Sequence, residues 1–123
     1  MPANMARILV IDDDTNLRAM IGLSLQGVGY DVVLAEDGRD GVEKHRLKPA
    51  DLIVTDLYMP KQEGLETIQM LRREFPDIPI IAMSGAVLAN TMLDIAAKLG
   101  AARILHKPFE FDELLKAIEE ALG

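Results

Sequence analysis

A chain of 123 residues with 50% hydrophobic content, no cysteine and no tryptophan has the size and composition of one ordinary domain. Its formal charge is −7, from 13 basic and 20 acidic side chains, which argues against a surface built to grip a phosphate backbone. The lack of cysteine excludes disulfides and thiolate metal centres. Apolar runs such as Ile78–Met83 fall far short of the roughly 20 residues of a membrane span. Asp12, Asp13 and Asp14 follow directly on the first apolar run, which does not suit a secretory leader. A soluble, cytoplasmic, acidic domain is the expectation.

The elements alternate between two periods. Arg7–Ile11 is a short apolar run of strand type. Leu17, Met20, Ile21, Leu25 and Val28 then form a helical stripe, closed by Gly27-Val28-Gly29. Asp31–Ala35 is the second strand, and Gly38–Lys48 is the weakest helix, with Val42 and Leu47 as its few apolar positions and Pro49 after it. Leu52–Thr55 is the third strand and ends at Asp56. Leu65, Ile68, Leu71 and Phe75 make the next stripe, stopped by Pro76, and Ile78–Met83 is the fourth strand. A fourth helix places Leu88, Met92, Ile95, Ala96 and Leu99 on one face, with Ala89, Leu93 and Ala97 widening it, and stops at Gly100. Arg103–Leu105 is the fifth strand. The last helix carries Phe111, Leu114, Leu115, Ile118, Ala121 and Leu122 on one face.

Five strand–helix units with short connections imply an α/β fold, a doubly wound parallel sheet with helices on both faces. The runs show little in/out alternation, as expected of strands covered on both sides. Met20, Met70 and Met92 sit at core spacing, and His45 and His106 read as surface or packing residues. The wide apolar face of the fourth helix reads as a thicker core contact, the competing reading being a partner surface shared with Ile104 and the last helix.

In such a sheet, ligands bind beyond the carboxyl ends of the strands. There the chain places Asp12-Asp13-Asp14, then Asp56 followed by Leu57-Tyr58-Met59-Pro60, then Ser84-Gly85, then His106-Lys107-Pro108-Phe109. Two carboxylates 5 Å apart at an effective dielectric of 20 repel by about 3 kcal/mol, so three ionised ones call for a cation. A hard divalent ion of the Mg²⁺ type, with Lys107 as a fixed charge, meets that need. Helix capping is the competing use of Asp12-Asp13-Asp14, and Asp14 suits it best. Asp56 taken alone reads as a turn residue, Lys107 as a solvated lysine and Ser84-Gly85 as a turn.

These motifs, Ile8-Leu-Val-Ile-Asp12-Asp13, Asp51-Leu-Ile-Val-Thr-Asp56-Leu-Tyr-Met-Pro60, Ile80-Ile-Ala-Met-Ser84-Gly85 and Lys107-Pro108-Phe109, resemble the receiver domain of two-component response regulators, of the chemotaxis-regulator kind. The resemblance runs over the whole chain. It implies a flavodoxin-like (βα)5 fold with sheet order 2-1-3-4-5, a single receiver over residues 1–123 with no output domain, and a signalling switch rather than an enzyme. Asp56 would be the phospho-acceptor. Asp13, Asp56 and the backbone carbonyl of Tyr58 would bind Mg²⁺, with Mn²⁺ as a substitute, and Asp12 would act through water. Ser84, Gly85 and Lys107 would receive the phosphoryl group, and Lys107–Pro108 would be a cis bond. The implied partners are a sensor histidine kinase or phosphotransfer protein and a downstream protein target. No direct DNA binding and no membrane are expected, and the state would be a monomer or a phosphorylation-linked dimer. The initiating Met1 and the lack of a trailing linker point to a self-contained chain, with output through the fourth helix, fifth strand and last helix.

This sequence departs from the family pattern in three places. Ile104 stands where an aromatic switch residue is common, so activation would lean on backbone movement and Ser84. Ala86 cannot orient water while Tyr58 could shield the acyl phosphate, which implies slow self-dephosphorylation. Ser84 replaces the commoner threonine and keeps its hydroxyl. Asp12-x-Asp14 also mimics a haloacid-dehalogenase-type phosphatase, but Asn16 breaks that motif and the chain is short for it. A non-phosphorylated flavodoxin-like adaptor is the remaining alternative.

Overall fold

Isoleucine, valine and leucine dominate β1 (Arg7–Ile11), β3 (Leu52–Asp56) and β4 (Ile80–Ser84), which fill the middle of the sheet; every β3 and β4 residue is buried. β2 (Asp31–Ala35) and β5 (Ala101–His106) form the edges and are partly exposed. The order is β2-β1-β3-β4-β5 and every pairing is parallel, the doubly wound arrangement expected from the sequence. The helices among the described residues are α1 (Thr15–Gly27), α2 (Gly38–Leu47), α3 (Glu63–Glu74) and the C-terminal α4 (Phe111–Leu122). This computed structural model describes residues 6–57, 63–85, 97 and 100–123. The expected fourth helix, Ala97 apart, lies outside the described residues, as do Tyr58 and Ala86.

Alternation along the strands divides the core in two. Ile8, Val10, Leu52, Val54, Ile81, Met83 and Leu105 pack with Ile21 and Leu25 of α1 and Leu114, Ala117 and Ile118 of α4. Leu9, Ile11, Ile53, Ile80 and Ala82 pack with Val42 of α2 and Ile68 and Leu71 of α3. Continuing the first set beyond Val10, Val54 and Leu105 leads to Asp12, Asp56 and Lys107. The pleat therefore delivers three charged groups to one side of the sheet's carboxyl edge.

Met20, expected in the core from its spacing, is exposed, as is Leu47, while His45 is buried at 7% exposure, as suits a packing residue. The reason for α2 is backbone proximity: a Cβ on Gly41 would stand 2.5 Å from Ile11 Cδ1, so glycine lets the helix sit close without an apolar stripe. β4 begins at Ile80 rather than Ile78, because Pro79 has no N–H for a ladder. β5 starts two residues early, at Ala101, through a register shift between Ile80 and Ile81. At the end of α1, Gly29 takes φ 103, a left-handed conformation suited to glycine.

Candidate functional site

Asp12 leaves β1 with every polar atom but one hydrogen-bonded. Its N–H donates to the Ala35 carbonyl at 3.1 Å and its carbonyl accepts from the Arg18 guanidinium. Its Oδ1 accepts from the Asp14 N–H at 2.9 Å, whereas Oδ2 is buried without a hydrogen bond. Asp14 caps α1, accepting from the Leu17 N–H at 3.1 Å, so one member of the acidic triplet serves the helix. Asp13 is exposed, yet its carboxylate joins those of Asp12 and Asp56, each offering an oxygen within 4.8 Å of the others.

Asp56 ends β3 and is buried. Lys107 reaches it from the end of β5, with Nζ 3.1 Å from Asp56 Oδ2 and 3.6 Å from Asp12 Oδ2. The lysine stem lines an apolar groove with Leu17, Pro108 and Phe109, so the ammonium points inward while its methylenes rest on apolar surface. The Lys107–Pro108 peptide is cis. Two backbone bonds brace this edge: Leu57 N–H to the Met83 carbonyl at 2.8 Å, and Lys107 N–H to the Ser84 carbonyl at 2.7 Å.

Burial is the main force on Asp12, pushing its pKa up to about 6; the Asp14 N–H opposes that, while Asp56 adds to it. Lys107 offsets part of the repulsion and Asp13 adds a little more. Three carboxylates around one ammonium leave negative charge in excess, and the buried Asp12 Oδ2, which has no hydrogen bond, faces that excess. Hard oxygen donors at this separation suit a hard divalent ion.

Ser84 is buried, and its hydroxyl donates to the Gly85 carbonyl at 3.2 Å rather than to a group of the cluster. Ile104 packs, partly buried, against the α2–α3 core. His106 is exposed, and His45 is a packing residue: its ring meets Phe75 edge-on at 4.2 Å and Nδ1 accepts from the Ala50 N–H at 3.0 Å. Sequence reasoning missed Arg18. Its one signal is a cation in the first turns of a helix, where the dipole disfavours positive charge.

A family model described as the response regulator receiver domain matches residues 8–119. The chain belongs to that family. The receiver is 36% identical over 123 residues to the transcriptional regulatory protein ZraR of Klebsiella oxytoca, a match covering 100% of this chain and 28% of ZraR. It is 36% identical over 118 residues to the response regulator MprA of Mycolicibacterium vanbaalenii, covering 94% of this chain and 50% of MprA. Among solved structures, the chemotaxis protein CheY4 of Vibrio cholerae superposes with TM-score 0.87 at 30% identity, over 95% of this chain and 98% of that one. A receiver domain protein from Clostridium thermocellum gives TM-score 0.88 at 28% identity, over 96% of this chain and 94% of that one.

These findings favour the receiver over the dehalogenase-type phosphatase and the adaptor. They also correct the expected partners. The chain spans about a quarter of ZraR and half of MprA, and ZraR is a transcriptional regulatory protein. In these relatives the matching receiver is part of a longer protein, in ZraR a transcriptional regulatory protein, and the expectation of output through a separate protein target with no DNA contact does not stand. The cause of the error is physical: the charge of an isolated receiver carries no information about a domain joined to it.

Proposed function

We propose that the domain is a phosphorylatable switch in which Asp56 accepts a phosphoryl group from a histidine kinase phosphohistidine in a Mg²⁺-dependent transfer. The observation that carries the reading is the meeting of Asp12, Asp13 and Asp56 within 4.8 Å, with the Lys107 ammonium 3.1 Å from Asp56 Oδ2. Asp13 and Asp56 would hold the ion directly and Asp12 through water; the Tyr58 carbonyl as a further ligand rests on the family likeness alone. Bound there, Mg²⁺ or Mn²⁺ supplies charge neutralisation for the carboxylates and for the phosphoryl oxygens.

The chain's own groups account for the rest. An Asp56 carboxylate oxygen attacks phosphorus in line, the P–N bond breaks, and its electron pair stays with the donor imidazole, which takes up a proton. Lys107 follows the new charge from the carboxylate to the phosphoryl oxygens. The acceptor passes from one negative charge to about two. The Ser84 hydroxyl, turned toward Gly85 before transfer, gains a stronger acceptor and draws the ends of β4 and β5 toward the site. No described helix is long and apolar enough to cross a membrane, and a cytoplasmic location fits this reading.

Incubation with a small acyl phosphate and Mg²⁺, followed by intact mass, tests it. Wild type should gain one phosphoryl group and Asp56→Asn none; a wild-type chain that stays unlabelled overturns the proposal.

A further inference from the structure

We propose that Arg18 is a positioning residue for the cation site, its guanidinium holding the Asp12 main chain so that Asp12 and Asp13 stay turned toward Asp56. This inference rests on the cation-assisted reading of the preceding subsection. Arg18 Nη1 donates to the Asp12 carbonyl at 2.5 Å, a contact that runs back across the start of α1. Together with the Ala35 and Asp14 contacts, it leaves Asp12 Oδ2 as the one polar atom of that residue without a hydrogen bond. Three contacts, from β2, from the α1 cap and from the Arg18 side chain, therefore converge on a single residue, and they leave one buried oxygen without a hydrogen bond presented to the cluster.

The placement of Arg18 runs against local preference. Its own N–H makes the first helical bond, to the Asp14 carbonyl at 2.9 Å, so the side chain sits beside the positive end of the helix dipole. Helix formation does not reward a cation there; a carbonyl acceptor next to three carboxylates does. A guanidinium carries its donors in a rigid plane, so it fixes the direction of that carbonyl as well as its charge environment. Lysine could supply the charge and one donor, but without the fixed fork. Turning the Asp12–Asp13 peptide would swing both carboxylates, which makes this carbonyl an effective point of control over the site.

Direct binding of Mn²⁺, followed by the electron paramagnetic resonance of the free ion, and of Mg²⁺ by calorimetry, tests the proposal on the full chain. Wild type, Arg18→Met and Arg18→Lys are compared, and each is melted without metal. Arg18→Met should weaken binding of both ions about tenfold, as loss of an outer-shell support does, and Arg18→Lys should recover part of it. Tighter binding by Arg18→Met would mean that Arg18 acts only as a repelling charge, and would overturn the proposal. A lowered melting temperature with unchanged metal affinity would reduce Arg18 to helix stability, and would overturn it equally. A wild-type chain that binds neither ion overturns the cation reading of the site itself; a wild type that binds while both variants match it removes Arg18 alone.

Discussion

At the amino edge of the sheet, arginines face fixed partners; at the carboxyl edge, carboxylates face one another. Arg7 pairs with Asp31 at 2.7 Å and donates to the Pro49 carbonyl at 2.9 Å, while its N–H donates to Asp51 at 2.8 Å. Arg72 reaches the carbonyls of Pro76, Ile78 and Gly100 at 2.8, 2.9 and 2.9 Å, closing the entries to β4 and β5. The Arg7 guanidinium holds the Asp31 carboxyl below its ordinary range, whereas burial pushes Asp12 up to about 6. Opposite charges that satisfy each other make a seam that stabilises the fold. Like charges gathered in a buried pocket cost stability until a ligand arrives, and that cost is what makes the pocket responsive.

The largest expected effect separates the edges by chemistry. Asp56→Asn should lower phosphoryl labelling at least about 100-fold, since the nucleophile is gone, with no loss of melting temperature. A drop in stability comparable to that of a core mutant would show that Asp56 is structural after all. Arg72→Met should do the reverse. Four carbonyls, that of Phe75 included, lose a charged donor, so urea denaturation should report a loss of about 2–3 kcal/mol, while labelling per folded molecule is unchanged. Impaired labelling in the folded variant would mean that the two edges are coupled.

Asp12→Asn sharpens the contrast further. Removing a buried like charge should stabilise the metal-free protein at pH 7 by about 1–2 kcal/mol, and Mg²⁺ should stabilise wild type more than the variant. Destabilisation without metal would show that Asp12 already has its full complement of partners.

The smallest effect is in pH, and its sign differs between the edges. Asp12 is raised from 3.8 to about 6, so between those values the folded state binds more protons than the unfolded one. Its stabilising contribution is complete below 3.8 and lost as pH rises through 6. Burial lowers His45 below 6.5, so there the unfolded state binds more protons, and stability falls as pH drops from 6.5 toward the folded value. In metal-free melts, Asp12→Asn should flatten the slope between pH 4 and 6, and His45→Gln the slope just below 6.5. Exchange of the Ala50 amide, which donates to His45, should quicken on the same acid side. Equal slopes in wild type and His45→Gln would remove the imidazole from this account.

Much of the architecture was legible because periodicity reports burial directly. The apolar runs of β1, β3 and β4 could be nothing but covered strands, and α4 has charges on one face and apolar residues on the other. The carboxylate cluster was legible because parallel strands put their carboxyl ends on one edge. Legibility failed where a contact replaced a pattern. Met20 has core spacing on α1, but the inward face of that helix is already occupied by Ile21 and Leu25. Leu47 lies at the end of α2 and points away, while the polar His45 fills the interior against Phe75. Arg18 gave only the weak signal of a cation in the first turns of a helix and Arg72 gave none, because a side chain that reaches a carbonyl depends on where the backbone has gone.

The sequence by itself determined the fold class, the family and the edge on which the chemistry sits, since these follow from hydrophobic period, strand order and four motifs. Tertiary structure decided which acidic residue does what. Asp12, Asp13 and Asp14 are identical in composition and adjacent in the chain, yet one is buried with an oxygen that has no hydrogen bond, one is exposed beside the cluster and one caps a helix. The difference comes from the turn out of β1, which sends consecutive side chains in different directions, and from Arg18, Ala35 and Lys107, which are brought to that turn only by folding.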